Sequence, residues 1–185
     1  MNKTLRFDAL PILKTDHLIL RPITMDDAAD IFSYASDPEV SKLLIWDAST
    51  SIEQTKEIIA EWLSLYAQNK ISPWGIVDKK SRKVIGTIEA RITHESSTQA
   101  ELGYCLSRDF WGKGLMGEAT LAVINYLFTH TIIDEISAFC RVDNMQSQRV
   151  LEKLGMVKDQ GNGKRELMKG KWVDLDRSVL RKLVA

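Results

Sequence analysis

The stretch Trp111-Gly112-Lys113-Gly114-Leu115-Met116-Gly117-Glu118-Ala119 joins a strand-like run, Gln99 to Leu106, to a helical one in which Leu115, Ala119, Ala122, Val123, Tyr126 and Leu127 recur on one face. Glycine tolerates positive φ and carries no Cβ, so three closely spaced glycines let backbone N–H groups converge on an anion at the start of that helix. A phosphate is the natural guest, since a plain strand-to-helix turn needs only one glycine. A nucleotide-hydrolysing phosphate loop fails on spacing, because Lys113 follows Gly112 directly and Leu115 follows Gly114. The letters do fit Gly-x-Gly-x-x-Gly, yet that dinucleotide fingerprint opens a repeated parallel βαβ sheet, and the chain leaves no room for a second half after it. The first acidic residue closing the next strand, Asp143, also comes later than the fingerprint places it.

Upstream of the glycines, Trp74 to Asp78, Val84 to Ile92 and Gln99 to Leu106 read as strands, separated by the polar turns Lys79 to Arg82 and His94 to Ser97. Connections this short make consecutive strands antiparallel, so a meander precedes the glycine loop. Earlier still, Leu18 to Ile23 is strand-like and closed by proline, and Thr24 with Asp27 caps a helix bearing Ala28, Ile31, Phe32 and Ala35 that Asp37-Pro38 stops. Thr50 with Glu53 caps a second helix, whose stripe Ile58, Ile59, Trp62, Leu63 and Tyr66 runs to about Gln68. Downstream come a strand from Glu135 to Val142 and a short helix capped by Asn144 and stopped at Gly155. Closing strands follow around a hairpin-type turn at Asn162-Gly163, over Met156 to Lys158, Arg165 to Lys169 and from Trp172 onward. This order predicts an α+β, mixed-sheet architecture in a single domain spanning 1–185.

Composition narrows the function classes. Lys plus Arg (25) balances Asp plus Glu (25) in 185 residues, so no net basic field favours nucleic acid. Charges and prolines interrupt Met1 to Leu20, which predicts neither a signal core nor a membrane span, and a cytoplasmic protein. Cys105 and Cys140 sit in apolar segments where a free thiol acts as a small hydrophobe. His17, His94 and His130 are scattered and show no metal-ligand spacing, so no metal site is expected.

Three segments in this order resemble a known family: Ala100-Glu101-Leu102-Gly103-Tyr104-Cys105-Leu106, then Trp111 to Gly114 with Glu118-Ala119, then Asn144-x-x-Ser147-x-x-Val150-Leu151-Glu152-Lys153-Leu154-Gly155. They are similar to the GNAT superfamily of acetyl-CoA-dependent N-acetyltransferases, in particular the RimJ/RimL-like branch that acetylates the N-termini of ribosomal proteins. Leu18 to Pro22 and Gly170 to Asp174 fit as well, so the resemblance spans about Thr15 to Leu183. It implies a splayed, mostly antiparallel mixed sheet flanked by about four helices, with acetyl-CoA in the slot between the meander's last strand and the strand after the glycine helix. Backbone groups of Tyr104, Cys105 and Leu106 would then pair with the pantetheine arm. The N–H groups of Gly112, Lys113, Gly114, Leu115, Met116 and Gly117 would hold the pyrophosphate, and Asn144 would contact the pantetheine from the other wall.

The chain departs from the wider superfamily at two places. The Gln or Arg that often opens the pyrophosphate loop aligns with Asp109, with Arg108 displaced by one. The tyrosine that many members use as general acid falls at Leu151, which has no proton to give, and Ser147, one turn after Asn144, is the natural replacement unless it merely caps the helix.

Acetyl transfer to an amine needs a base for the ammonium proton, and Glu101 is the first candidate with Glu89 in reserve, although strand alternation leaves open which face Glu101 takes. A strand N–H near Tyr104 would meet the oxyanion. Cys105 has no adjacent His or cation, so direct attack is the simpler scheme. The first two helices and the last hairpin should build the acceptor pocket, with Trp46 the tryptophan expected to see substrate and most of Trp62, Trp74 and Trp172 in the core. The acceptor is a small-molecule amine or a protein N-terminus, and the sequence does not choose between monomer and homodimer. Two alternatives stand beside the transferase: an acyl-CoA-binding sensor without turnover, and a nicotinamide-dependent oxidoreductase.

Overall fold

A computed structural model describes residues 10–68, 73–92 and 98–183; the turn expected at His94 to Ser97 lies outside them. Among the described residues nine strands form one sheet: β1 (Leu13–Lys14), β2 (Leu18–Pro22), β3 (Trp74–Asp78), β4 (Val84–Ile92), β5 (Gln99–Leu106), β6 (Glu135–Arg141), β7 (Val157–Lys158), β8 (Lys164–Met168) and β9 (Lys171–Arg181). Their spatial order is β1-β2-β3-β4-β5-β6-β9, and β7 and β8 both pair with β9. Every pairing is antiparallel except β5 with β6, the pair bridged by the glycine loop and its helix.

The described residues hold five α-helices, α1 (Ala28–Ala35), α2 (Pro38–Ser41), α3 (Ile52–Ala67), α4 (Leu115–His130) and α5 (Met145–Lys153), one more than expected. They cover both faces of the sheet, which is why β3 is buried throughout and reads as a continuous apolar run instead of an alternating one. On one face Leu20, Trp74, Ile76 and Ile88 join Ala119, Val123 and Leu127 of α4. On the other, Ile23, Val77 and Val84 join Ala28 and Ile31 of α1 and Ile59 of α3. Full burial of side chains such as Ile76 or Leu127 stabilises the fold by about 1.5–3 kcal/mol each.

Caps fix where the helices begin. Asp27 accepts from the Thr24 N–H at 2.8 Å and from both ends of the Arg21 guanidinium at 2.8 and 2.7 Å, tying the end of β2 to the start of α1. Burial pushes the Asp27 carboxyl up, but the Arg21 and Thr24 bonds outweigh it and hold it below the usual carboxylate range.

Three sequence expectations are corrected. Asp37-Pro38 does not simply stop α1: Pro38 opens α2, with Asp37 accepting from the Glu39 N–H at 2.9 Å, because proline suits the first helical position. The cap of α3 is Ser51, which accepts from the Gln54 N–H at 3.2 Å, while the Gln54 side chain reaches back to the Thr50 N–H at 3.0 Å; the box is shifted by one from Thr50 and Glu53. Asn162-Gly163 is not a hairpin turn, since β7 and β8 both run antiparallel to β9 and the residues between them only interrupt one edge. The hairpin turn is Lys169-Gly170, a two-residue loop between paired Met168 and Lys171 with φ +51 and +74, as a type I′ turn requires.

Candidate active site

The site starts where β5 and β6 stop pairing. Their parallel ladder runs from Gln99↔Glu135 to Leu102↔Ala138 and ends there. Beyond it, β5 stays with β4 as far as Leu106↔Gly86, and β6 stays with β9 through Arg141↔Leu175. Two strand edges therefore diverge with backbone groups facing a wedge, and obligate hydrogen-bonding groups in such a wedge call for a partner. The splayed sheet implied by the family resemblance is present.

On the α4 side the wedge opens into a groove of about 610 Å³, reaching from Tyr104 and Leu106 to the glycine loop and α5. Gly112 and Gly114 take φ +73 and +77, conformations an L side chain strains to adopt. Gly114 is the N-cap of α4, and the first main-chain bond back to it comes from Glu118 at 3.1 Å. The N–H groups of Leu115, Met116 and Gly117 thus precede the helix's own ladder and point out of its positive end. Gly117 is the third residue of the helix, not part of the turn, and a Cβ there would meet nothing within 4 Å. Lys113 lies over the Phe110 ring at 5.0 Å, and Arg149 and Lys153 line the groove from α5. Arg108 instead pairs with Asp37 at 3.1 Å, so the displaced cation is tied to the cap of α2. Orphan donors, bare backbone and two lining cations, Arg149 and Lys153, with Lys113 beside them on Phe110, suit a doubly charged phosphate chain.

On the opposite side lies a chamber of about 440 Å³, walled by Trp46 and Trp62 and bounded by β8. Trp74 is in the core and Trp172 is 62% exposed, outside the chamber. Glu101 faces this chamber, which answers the question alternation left open. It shares Arg91 with Glu89, at 3.5 Å and 3.3 Å respectively. Burial pushes the Glu89 carboxyl up, Arg91 pulls it down, and the neighbouring Glu101 pushes it up again, leaving it above its ordinary value. Gly103 makes room for it, since a Cβ there would stand 3.2 Å from a Glu89 carboxylate oxygen.

Groove and chamber share Leu44, Tyr104, Cys105, Asn144 and Ser147. Asn144 caps α5, its side chain accepting from the Ser147 N–H at 3.1 Å. The Ser147 hydroxyl does not bond back onto its helix; it meets the Tyr104 hydroxyl at 2.8 Å. Burial pushes the Tyr104 phenol up to about 12, with the Ser147 bond opposing, so it is protonated at neutral pH. Sequence reasoning used only the backbone of Tyr104; its place on β5 opposite α5 was the available signal for the side chain. Leu151 is 1% exposed in the core and takes no part. The Cys105 thiol packs against Thr87 at 3.2 Å, and burial pushes both cysteines up, away from thiolate chemistry. Among the described residues no cluster of three or more His, Cys, Asp or Glu could hold a metal, and no helix is long and apolar enough to cross a membrane.

Comparison with known proteins agrees with this geometry. Residues 17–157 match the acetyltransferase (GNAT) domain family. The uncharacterised N-acetyltransferase YoaA of Bacillus subtilis is 35% identical over 149 residues, covering 80% of this chain and 84% of that protein. The structure of a ribosomal-protein-S5-alanine acetyltransferase from Vibrio fischeri superposes with a TM-score of 0.76 at 26% identity, over 93% of this chain and 97% of that one. RimL, a ribosomal L7/L12 alpha-N-protein acetyltransferase solved in complex with coenzyme A, superposes with a TM-score of 0.82 at 19% identity, over 92% and 98%. The nicotinamide alternative falls with these matches and with a sheet whose one parallel pair, among the described residues, is β5 with β6. The chain belongs to the GNAT family of N-acetyltransferases.

Proposed function

We propose that the chain, acting as one domain, moves the acetyl group of acetyl-CoA onto a primary amine by direct attack, and that the acceptor is a protein α-amino group. One observation carries the reading: the wedge between β5 and β6 joins a groove at the N-terminus of α4 to a carboxylate-lined chamber, with paired hydroxyls at the junction. The protein acceptor is supported by the activities for which RimL and the Vibrio enzyme are named.

In this scheme the N–H groups of Leu115, Met116 and Gly117, with Lys113, Arg149 and Lys153, bind the pyrophosphate, and backbone of Tyr104 to Leu106 aligns the pantetheine. Acetyl-CoA supplies the activated thioester. Glu89, whose proton affinity is raised, takes the ammonium proton, and Glu101 assists it by charge. The freed nitrogen forms the new C–N bond as a β5 N–H near Tyr104 meets the developing oxyanion. When the C–S bond breaks, the Tyr104 and Ser147 hydroxyls serve the departing sulfur as hydrogen-bond donors, and the second amine proton leaves with it as thiol. A sensor without turnover would have no use for Glu89 or the hydroxyl pair. The test is release of free thiol from acetyl-CoA with an alanine-starting peptide. Release should require the peptide and fall by about 10²–10⁴ in E89Q; release that ignores the peptide, or an unaffected E89Q, defeats the scheme.

A further inference from the structure

We propose that Lys164 is itself an acetyl acceptor, a self-modification site inside the acceptor chamber. The inference rests on the transferase reading above. Lys164 opens β8 and pairs with Leu175 of β9, which on its other side pairs with Arg141 of β6. From there its side chain reaches over β9 to place Nζ 4.4 Å from the centre of the Phe139 ring. Phe139 is the first β6 residue past the last rung with β5, Leu102↔Ala138, so its ring marks the point where the wedge opens. Lys164 is the one primary amine among the described residues lining the chamber, and it shares that lining with Glu89 and Glu101. Its only ion pair among the described residues is with Glu166 at 3.1 Å, side chains 44% and 34% exposed, a weak and exchangeable hold.

The step balances without a further reagent. The Lys164 ammonium leaves Glu166 and gives one proton to Glu89. Its nitrogen forms a C–N bond to the acetyl carbon, the thioester C–S bond breaks, and the second proton leaves on the coenzyme A thiol. The product is an Nε-acetyl-lysine that has lost its charge, its Glu166 pair and its contact with Phe139.

The full chain is incubated with acetyl-CoA and no added amine, and acetylated lysines are mapped by mass spectrometry over time. Lys56 and Lys80 are exposed and line neither cavity, so they report uncatalysed acetylation. Proximity predicts that Lys164 is modified at least about tenfold faster than either, at a first-order rate independent of protein concentration. K164R, which keeps the charge, should abolish that label and leave the Lys56 and Lys80 background unchanged. Modification of Lys164 no faster than the two controls, in a protein that still acetylates an added peptide, overturns the proposal and leaves the transferase reading standing. A rate that scales with protein concentration also overturns it, as acetylation between copies. Failure to bind acetyl-CoA in calorimetry overturns both.

Discussion

Glu89 and Glu101 share one arginine, and with Glu89 as the proposed base that sharing should set the acid side of the pH profile. Glu89 must be ionised to accept a proton, so kcat/KM should rise as pH climbs through its raised value. Glu101 contributes to that raising by charge, so E101Q should move the acid limb to lower pH, and R91M should move it higher. An acid limb that stays put in both variants would remove Glu89 from the role of base. Asp27 shows the opposite sign. Its folded value is depressed, so the stability it contributes is present above the unfolded carboxylate value and disappears as pH falls through the folded one. D27N should lose about 1–3 kcal/mol at neutral pH and much less in strong acid, read from urea unfolding at each pH. Equal losses at both would show that the Arg21 pair is not what holds the carboxylate down.

At the scale of elements, α2 and the segment after it touch both halves of the site. Val40 lines the groove, Leu43, Ile45 and Trp46 line the chamber, and Leu44 lines both. Two clamps hold this wall. Arg108 fixes the Asp37 end at 3.1 Å, and Lys169 of the β8–β9 turn donates to the Ser41 carbonyl at 2.7 Å and pairs with Asp47 at 3.6 Å. K169M keeps the backbone constraint of the turn and removes only the clamp. It should raise the KM for the acceptor by up to about tenfold with little change in the KM for acetyl-CoA. A parallel rise in both constants would mean that the clamp serves the fold in general.

Over the whole molecule, the meander was legible because short turns dictate antiparallel neighbours, whereas the β5–β6 wedge was an implication of the family resemblance. The bounds of β3, β4 and β5 follow directly from their apolar runs. The Asn144 cap and the Gly155 stop were legible for the same reason, since their chemistry is local. What was not legible depends on contacts distant in sequence. The side of the sheet taken by Glu101 was hidden because helices cover both faces, so alternation gives parity without orientation. The bond between Tyr104 and Ser147 spans 43 residues, and the Lys169 clamp spans 128. The break between β7 and β8 escaped because Asn-Gly signals a turn wherever it occurs, whether or not a hairpin closes there.

The central claim is that the start of α4 and the wedge beside it bind acetyl-CoA, and Gly117 offers the most direct test. Substitution at Gly114 would strain a positive φ, whereas Gly117 is helical with open space beside it, so a side chain there is compatible with the fold. G117A should be stabilised by up to about 1 kcal/mol through helix propensity alone. Calorimetric titration with acetyl-CoA should show micromolar binding to the parent chain and loss of binding in G117F at an unchanged or higher melting temperature. A folded parent that binds no acetyl-CoA, or a G117F that binds it as tightly as the parent, would contradict the account.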